Sequence, residues 1–213
     1  MAQPTAEVRD ARRRLRALRM ALTPGERLAA ELAIAAALRR LRVFRPGRRV
    51  AVYLAMRGEV DLEKVFADAW RARARLYGPR VTSRRRREMA FVPLVRGAAT
   101  SAGCFGNLEP VAAAAARLPP RHLDVVLLPV VGFDADGNRL GMGAGFYDRA
   151  LRGCRRPGGT WRRPRLIGIG FACQQLPRIE PSRWDVPLDL VVTERGLIEP
   201  GRRRPGACDG SKA

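Results

Sequence analysis

The sequence predicts an α/β protein: a single domain in which a largely parallel, helix-flanked sheet follows an N-terminal helical pair. Three observations predict it. Short apolar runs alternate along the chain with segments of helical period. The run from Asp124 to Val131 is apolar without alternation, as a strand buried on both faces must be. Two helix signals stand in tandem before the first strand.

Between Ala6 and Leu22, the residues Val8, Ala11, Leu15, Leu18 and Leu22 recur at helical spacing among arginines, which predicts a first helix with these side chains as its apolar stripe. Thr23-Pro24-Gly25-Glu26 opens a second: Thr23 is the N-cap, Pro24 takes the first helical position and Glu26 completes a capping box. That helix runs to about Leu41, and Pro46-Gly47 turns the chain. Val50 to Leu54 reads as a buried first strand, and Leu62, Val65, Phe66, Ala69 and Trp70 as the buried stripe of a helix. Leu76 to Val81 and Met89 to Leu94 are short strands on either side of Arg84 to Arg87, a solvated loop. Phe105 to Pro110 is a turn. Arg165 to Phe171 and Leu188 to Val192 supply two more strands. From Glu199 the chain is rich in Arg, Gly and Pro, so residues 199–213 are expected to form a disordered basic tail after a domain spanning 1–198.

In sheets of this kind ligands sit beyond the carboxyl ends of strands. Two segments leave such ends. One is Met56-Arg57-Gly58-Glu59. The other is Asn138-Arg139-Leu140-Gly141-Met142-Gly143-Ala144-Gly145-Phe146-Tyr147-Asp148-Arg149. Alternating glycines allow close approach of a ligand to the backbone, with N–H groups turned toward an anion, and the N-terminus of the next helix adds its dipole. The segment reads as a phosphate cradle with Arg139 at its entrance and Asp148 at its exit. It is neither a Walker loop, which needs Gly-Lys-Ser/Thr, nor a dinucleotide fingerprint.

The bulk numbers exclude several classes. A chain of 213 residues with 46% hydrophobic content suits one well-buried core. No apolar stretch reaches membrane-spanning length, and the arginine-rich N-terminus lacks the apolar region of a signal peptide; a cytoplasmic monomer is expected. Cys104, Cys154, Cys173 and Cys208 are scattered, and the one histidine, His122, completes no zinc pattern with them. The formal net charge is +21, from 41 basic and 20 acidic residues. Such charge suits a polyanion. Yet heavy use of Ala, Arg, Gly and Pro is also what a GC-rich genome produces, and with 6% aromatic residues no base-stacking surface is evident. Nucleic acid is therefore not the expected main partner.

The ordered motifs together resemble the 5-formyltetrahydrofolate cyclo-ligase family, also called 5,10-methenyltetrahydrofolate synthetase. The strongest piece is Leu128-Pro-Val-Val-Gly-Phe-Asp-Ala-Asp-Gly-Asn-Arg-Leu-Gly-Met-Gly-Ala-Gly-Phe-Tyr-Asp148, similar to the family's Pro-Gly-x-x-Phe-Asp…Arg-Leu-Gly-x-Gly-x-Gly-Tyr-Tyr-Asp signature. Tyr53 to Asp61, the Phe105 to Pro110 turn, Trp184-Asp185-Val186 and Val192-Thr193-Glu194 support it. The resemblance implies that ATP activates the N5-formyl oxygen of a reduced folate, that N10 closes the ring and that phosphate leaves, with Mg²⁺ as the metal. No covalent enzyme nucleophile is needed; the demands are positioning and electrostatics.

By the same resemblance, ATP is bound by Arg9 and Arg12 of the first helix and by Arg139, Leu140, Gly141, Met142, Gly143, Ala144, Gly145, Phe146 and Tyr147. Arg139 and Tyr147 stand at the reacting centre. Leu54, Met56, Glu59, Met142 and Tyr147 form the folate pocket, with Glu59 on the polar pterin edge or formyl region. Asp148 and Asp185 serve Mg²⁺. The chain departs from the family pattern in several places. The Lys-x-x-Leu-Arg opening reads Val8-Arg9-Asp10-Ala11-Arg12. Phe146 stands for the first tyrosine of Tyr-Tyr-Asp, Ala144 for the usual lysine or glycine, and Trp184 for a histidine. Two alternatives stay open at this point: a relative with shifted substrate or lost turnover, and an arginine-rich nucleic-acid-binding protein.

Overall fold

The computed structural model describes residues 5–103, 106, 108–111, 116–154 and 164–201. Phe105, Asn107, Cys104, Cys208 and the tail beyond 201 lie outside the described residues.

Helix α1 (Ala6–Met20) starts at Thr5, whose hydroxyl accepts the Val8 N–H at 3.3 Å. Helix α2 (Pro24–Arg40) has the capping box read from the sequence: Thr23 Oγ1 accepts from Glu26 N at 3.3 Å, and Glu26 Oε2 accepts from Thr23 N at 2.8 Å. Strand β1 (Arg49–Ala51), helix α3 (Glu63–Arg71) and the hairpin of β2 (Arg75–Ser83) and β3 (Glu88–Pro93) follow. A small hairpin, β4 (Thr100–Ala102) with β5 (Leu108–Pro110), leads to the central strand β6 (Val125–Pro129). A second small hairpin, β7 (Gly132–Phe133) with β8 (Arg139–Leu140), precedes helix α4 (Phe146–Leu151). The main sheet is completed by β9 (Arg165–Ile169), β10 (Leu190–Thr193) and β11 (Gly196–Ile198).

The seven-stranded sheet has the order β11-β10-β9-β6-β1-β2-β3. Its five inner strands are parallel, and β3 and β11 pair antiparallel at the two edges. Both faces are covered, so side chains of alternate residues enter different cores. Val50, Val125, Leu127, Ile167, Ile169, Leu190 and Val192 join the core beneath α2 and α3. Ala51, Val126, Leu128, Leu166 and Val191 join the opposite core with Leu151 of α4. Leu127 and Leu128 are both fully buried, one on each side, and each burial contributes about 2–3 kcal/mol. This two-sided burial is why β6 reads as a continuous apolar run.

Several expectations are corrected. Leu18 does not join the apolar stripe of α1; it is 44% exposed, and Arg19 is buried in its place. Leu15 does pack inward, with Val8 and Ala11, against Val131 and Leu140. Leu108 to Pro110 is strand rather than turn, held by the buried Glu109, whose Oε2 accepts the Val81 N–H at 3.3 Å. The short strands β4, β7, β8 and β11 were not foreseen: runs of two or three residues carry too little periodicity to register.

From β1 the chain moves outward through α3 to β2 and β3, then crosses back to β6 on the other side of β1. The strand order therefore reverses between β1 and β6, and a crevice opens at their carboxyl ends. Both candidate loops leave the sheet there.

Candidate active site

The loop after β6 begins with a knot. Asp134, fully buried, accepts hydrogen bonds from the N–H groups of Asp136, Asn138 and Ile179 and from the Asn138 side-chain amide, all at 2.9–3.0 Å. This ties the β7–β8 turn to the segment 172–179, where Gln174 Nε2 donates to Val130 O at 2.8 Å and Val131 O at 2.9 Å. The glycine segment departs from this fixed base. Gly143 and Gly145 have φ of +98° and +70°, a region other residues enter only with strain. A Cβ on Gly141 would meet nothing within 4 Å, so that backbone faces open space. Among the described residues, no protein acceptor takes the N–H groups of Gly141, Met142, Gly143, Ala144 or Gly145. Five successive donors without protein partners are what an anion requires. The helix that follows, α4, has only six residues, so its dipole adds a one-turn contribution.

Arg139 is placed differently from the entrance position read from the sequence. It is 9% exposed. Its Nη2 pairs with Asp148 Oδ1 and its Nη1 donates to Val186 O. The Val186 N–H completes the ring by donating to the same Asp148 oxygen at 3.3 Å. Arg139, Asp148 and the Val186 peptide thus form one unit beneath the glycine loop. Asp185, adjacent to Val186, is exposed, and its Oδ2 accepts the Ser182 N–H at 2.8 Å. The two aspartates expected to serve a metal therefore flank one peptide. Among the described residues no group of three or more His, Cys, Asp or Glu side chains surrounds a metal position.

The positive charge over the glycine loop comes from α1. Arg9, Arg12, Arg13 and Arg16 line a cleft of about 570 Å³ together with Met142 and Gly143. Arg12 Nε donates to Gly141 O at 2.9 Å. Burial and the neighbouring Arg16 lower the pKa of the Arg12 guanidinium, and the Asp185 carboxylate acts in the opposite direction. Leu140 is buried, and Met142 packs beside it on Leu15 and Val131. Ala144 and Phe146 are half-buried.

The second loop, after β1, is held tightly. Glu59 N donates to Met56 O at 3.0 Å, and Glu59 Oε2 accepts from Met56 N at 3.2 Å. Arg19 Nη2 donates to Arg57 O at 2.8 Å, and Arg27 Nη1 donates to Gly58 O at 2.9 Å. Arg57 and Gly58 both have positive φ, and a Cβ on Gly58 would lie 2.4 Å from Met20 Sδ. The positive φ favours glycine at position 58, whereas the exposed Met20 side chain could swing aside. Arg27 is itself fixed by Arg19 O at 2.6 Å and by the Phe171 ring, 5.1 Å from its Cζ. Leu54 and Met56 are half-buried on this side, with Leu54 packed on the core beneath α2.

The two loops meet electrostatically. Burial raises the Glu59 pKa, with Arg19 opposing. Burial and, next, the Glu59 carboxylate raise the hydroxyl pKa of both Tyr53 and Tyr147, the latter closing the glycine segment. Glu59, Tyr53, Tyr147 and Arg19 thus share one low-dielectric region at the switch point. Tyr53 is a packing residue whose hydroxyl donates to Val60 O at 2.9 Å. The Trp184 ring is contacted by the guanidinium groups of Arg152 and Arg183, with Cζ 4.2 and 4.3 Å from its centroid. Sequence reasoning missed Arg16, Arg19 and Arg27. The available signal was the recurrence of Arg12, Arg16 and Arg19 at i, i+4 and i+7 around Leu15, hidden among the many other arginines of α1.

Comparison with known proteins bears directly on this arrangement. Residues 4–194 match the 5-formyltetrahydrofolate cyclo-ligase family. The chain is 30% identical over 191 residues to the 5-formyltetrahydrofolate cyclo-ligase of Haemophilus influenzae, covering 88% of this chain and 98% of that one. It is 33% identical over 152 residues to the Escherichia coli enzyme of the same name, covering 70% and 80%. Among solved structures, the 5,10-methenyltetrahydrofolate synthetase of Aquifex aeolicus superposes with a TM-score of 0.75 at 28% identity, covering 96% of this chain and 99% of that one. With the match running from α1 through the glycine segment to β10, the chain belongs to the 5-formyltetrahydrofolate cyclo-ligase family of ligases.

Proposed function

We propose that this chain, through residues 1–198 acting as one domain, converts 5-formyltetrahydrofolate to 5,10-methenyltetrahydrofolate at the expense of ATP, releasing ADP and phosphate. The observation that carries the reading is the meeting of the two loops. The Met56–Glu59 loop follows β1 and the glycine segment follows β6, the neighbouring strands between which the sheet order reverses, which supports a heterocycle on one loop within reach of an anion on the other.

The formyl oxygen is a weak nucleophile, and the chain's contribution is to hold it in line with the γ-phosphorus. The open amides of residues 141–145, with Arg9 and Arg12, hold the triphosphate. Arg139, kept rigid by Asp148 and Val186, supplies a fixed cation at the reacting centre beside Tyr147. Glu59 orients the pterin, and Leu54, Met56, Met142 and Tyr147 wall the pocket against water. Once the formyl oxygen carries the phosphoryl group, N10 attacks the formyl carbon and the C–O bond to phosphate breaks.

Mg²⁺ belongs to the same proposal. Asp148 and Asp185 offer hard oxygen donors on either side of Val186, and a Mg²⁺ ion accepts one or two carboxylates, completing its shell with phosphates and water. Bound there, the ion would neutralise phosphate charge. A monomer working in the cytoplasm, where ATP and reduced folates are supplied, completes the reading.

The test is turnover by the purified chain with Mg·ATP and 5-formyltetrahydrofolate, followed by methenyl absorbance and by phosphate release. One phosphate per methenyl product is expected. ATP binding without product would instead mark a relative that lost or shifted the reaction, and tight, salt-sensitive RNA binding that survives Glu59→Ala would favour the polyanion alternative.

A further inference from the structure

The arginines that line the cleft of about 570 Å³ beside Met142 and Gly143 are not equivalent. Arg12 lies along the loop backbone: its Nε is taken by Gly141 O, and a Cβ on Gly143 would stand 3.5 Å from its Nη1. Arg13 is exposed and pairs with Asp10 on its own helix. Arg16 makes no hydrogen bond or ion pair among the described residues. Its Nε is buried without a partner, whereas Nη1 and Nη2 are not enclosed. The side chain is thus half sunk, with the terminal fork of its guanidinium left to the cleft.

Helix geometry places this fork. Steps of 100° per residue put Arg16 about 40° from Arg12 and about 60° from Arg19 around α1, so the three share one face. Arg12 is bound to the glycine segment and Arg19 to the 56–59 loop. Arg16 stands between them along the axis, one turn nearer the second loop than Arg12 is. Arg12 and Arg16 also carry like charge at i and i+4, an arrangement that destabilises a helix. Burial first, and Arg16 next, lower the pKa of Arg12. An anion shared by the two guanidinium groups relieves that repulsion.

We infer that Arg16 is a further catalytic residue, whose two terminal nitrogens clasp the phosphoryl group as it passes from nucleotide to folate. This rests on the cyclo-ligase reading above and extends it. The glycine amides and Arg12 hold the phosphates that stay with ADP. The terminal phosphoryl group is the one nearest the second loop, where Arg16 stands. In the step, the formyl oxygen bonds to the γ-phosphorus as the N5 lone pair shifts into the N5–carbon bond. The bond from that phosphorus to the β,γ-bridging oxygen breaks, and its electron pair leaves with ADP. Negative charge is spread over the equatorial oxygens in transit. Two of them match the parallel N–H groups of the Arg16 fork. Arg139 is already paired with Asp148, whereas Arg16 brings a charge that no carboxylate among the described residues offsets.

The experiment measures steady-state turnover, and calorimetric binding of ATP, ADP and 5-formyltetrahydrofolate, in the wild type, Arg16→Met and Arg16→Lys, with melting temperatures recorded alongside. Arg16→Met keeps the packed stem and should lower kcat about 100- to 1,000-fold, as for other lost transition-state donors. Its ATP binding should weaken about tenfold, with ADP and folate binding unchanged, because ADP lacks the phosphoryl group concerned. Arg16→Lys keeps the charge without the planar fork and should recover part of kcat. Equal weakening of ATP and ADP would make Arg16 a general phosphate clamp. A lower melting temperature with kcat retained would make it structural. Either result, or an Arg16→Met enzyme with wild-type kcat, overturns the inference and leaves the folate reading intact. A wild type without turnover overturns both together.

Discussion

The two loops at the switch point are built in opposite ways. The 56–59 loop is closed: its carboxylate is buried, its carbonyls are taken by Arg19 and Arg27, and Met20 presses on Gly58. The 141–145 loop is open: its amides have no protein acceptor among the described residues, Gly141 faces empty space and one carbonyl is held by Arg12. A rigid loop with few polar groups suits a flat heterocycle of fixed hydrogen-bonding pattern. An open run of backbone donors suits a flexible, highly charged chain of phosphates. One site thus uses side chains for recognition on one flank and main chain for charge on the other.

The most damaging way to break this contrast is to remove the support beneath the open loop. Arg139→Met should leave the Asp148 carboxylate and the Val186 carbonyl without their buried partner. It is expected to cost about 3–5 kcal/mol of stability, as for other broken buried pairs. Denaturant unfolding measures the loss, and a change below 1 kcal/mol would mean the pair is solvated. Next, Glu59→Gln should weaken folate binding by about 10- to 100-fold while ATP binding changes little. Comparable losses for both ligands in calorimetry would show that the flanks are not separable. Gly143→Ala reverses that pattern. At φ +98° an alanine costs about 1–3 kcal/mol, so KM for ATP should rise about tenfold with folate binding retained.

A pH series sharpens the same contrast. The folded-state pKa of Glu59 is raised from 4.5, chiefly by burial. The stability this group contributes is full below 4.5 and is lost as pH rises through the raised folded value. Folate affinity moves the other way, because the pterin edge needs the ionised carboxylate. Between those values, raising the pH should tighten folate binding while lowering the melting temperature, and Glu59→Gln should flatten both curves. Parallel trends in the wild type would contradict Glu59 as the acceptor. The smallest effect lies far from either loop. Arg42 and Arg73 sit exposed at φ +51° and +56°, so glycine at each should raise stability by about 0.5–1 kcal/mol, visible as a melting shift of a few degrees with turnover unchanged.

The sequence carried the architecture well where physics is local or periodic. The Thr23 capping box, the two-sided burial of β6 and the turn at Arg84 to Arg87 each have signals within a few residues. It also carried the glycine segment, since backbone freedom is written directly in residue type. It failed where partners are distant. The burial of Arg19 in place of Leu18 depends on how α1 meets the 56–59 loop. The Arg139–Asp148–Val186 unit depends on a peptide 47 residues from Arg139. Arginine is ordinarily a surface residue, and among so many of them nothing local marks the few that the fold encloses.

Arg12 and Arg19 are seven residues apart on one helix, and each grips the carbonyl of a different loop. Seven residues span about 10.5 Å of helix, so α1 serves as a ruler laid between the loops, setting their separation by its pitch. Inserting a single residue between these arginines would turn one of them about 100° from its carbonyl without touching either loop's own sequence. The gauge between donor and acceptor is therefore recorded in the length of a helix that lies outside the sheet, and variation in that helix would alter reach before it altered chemistry.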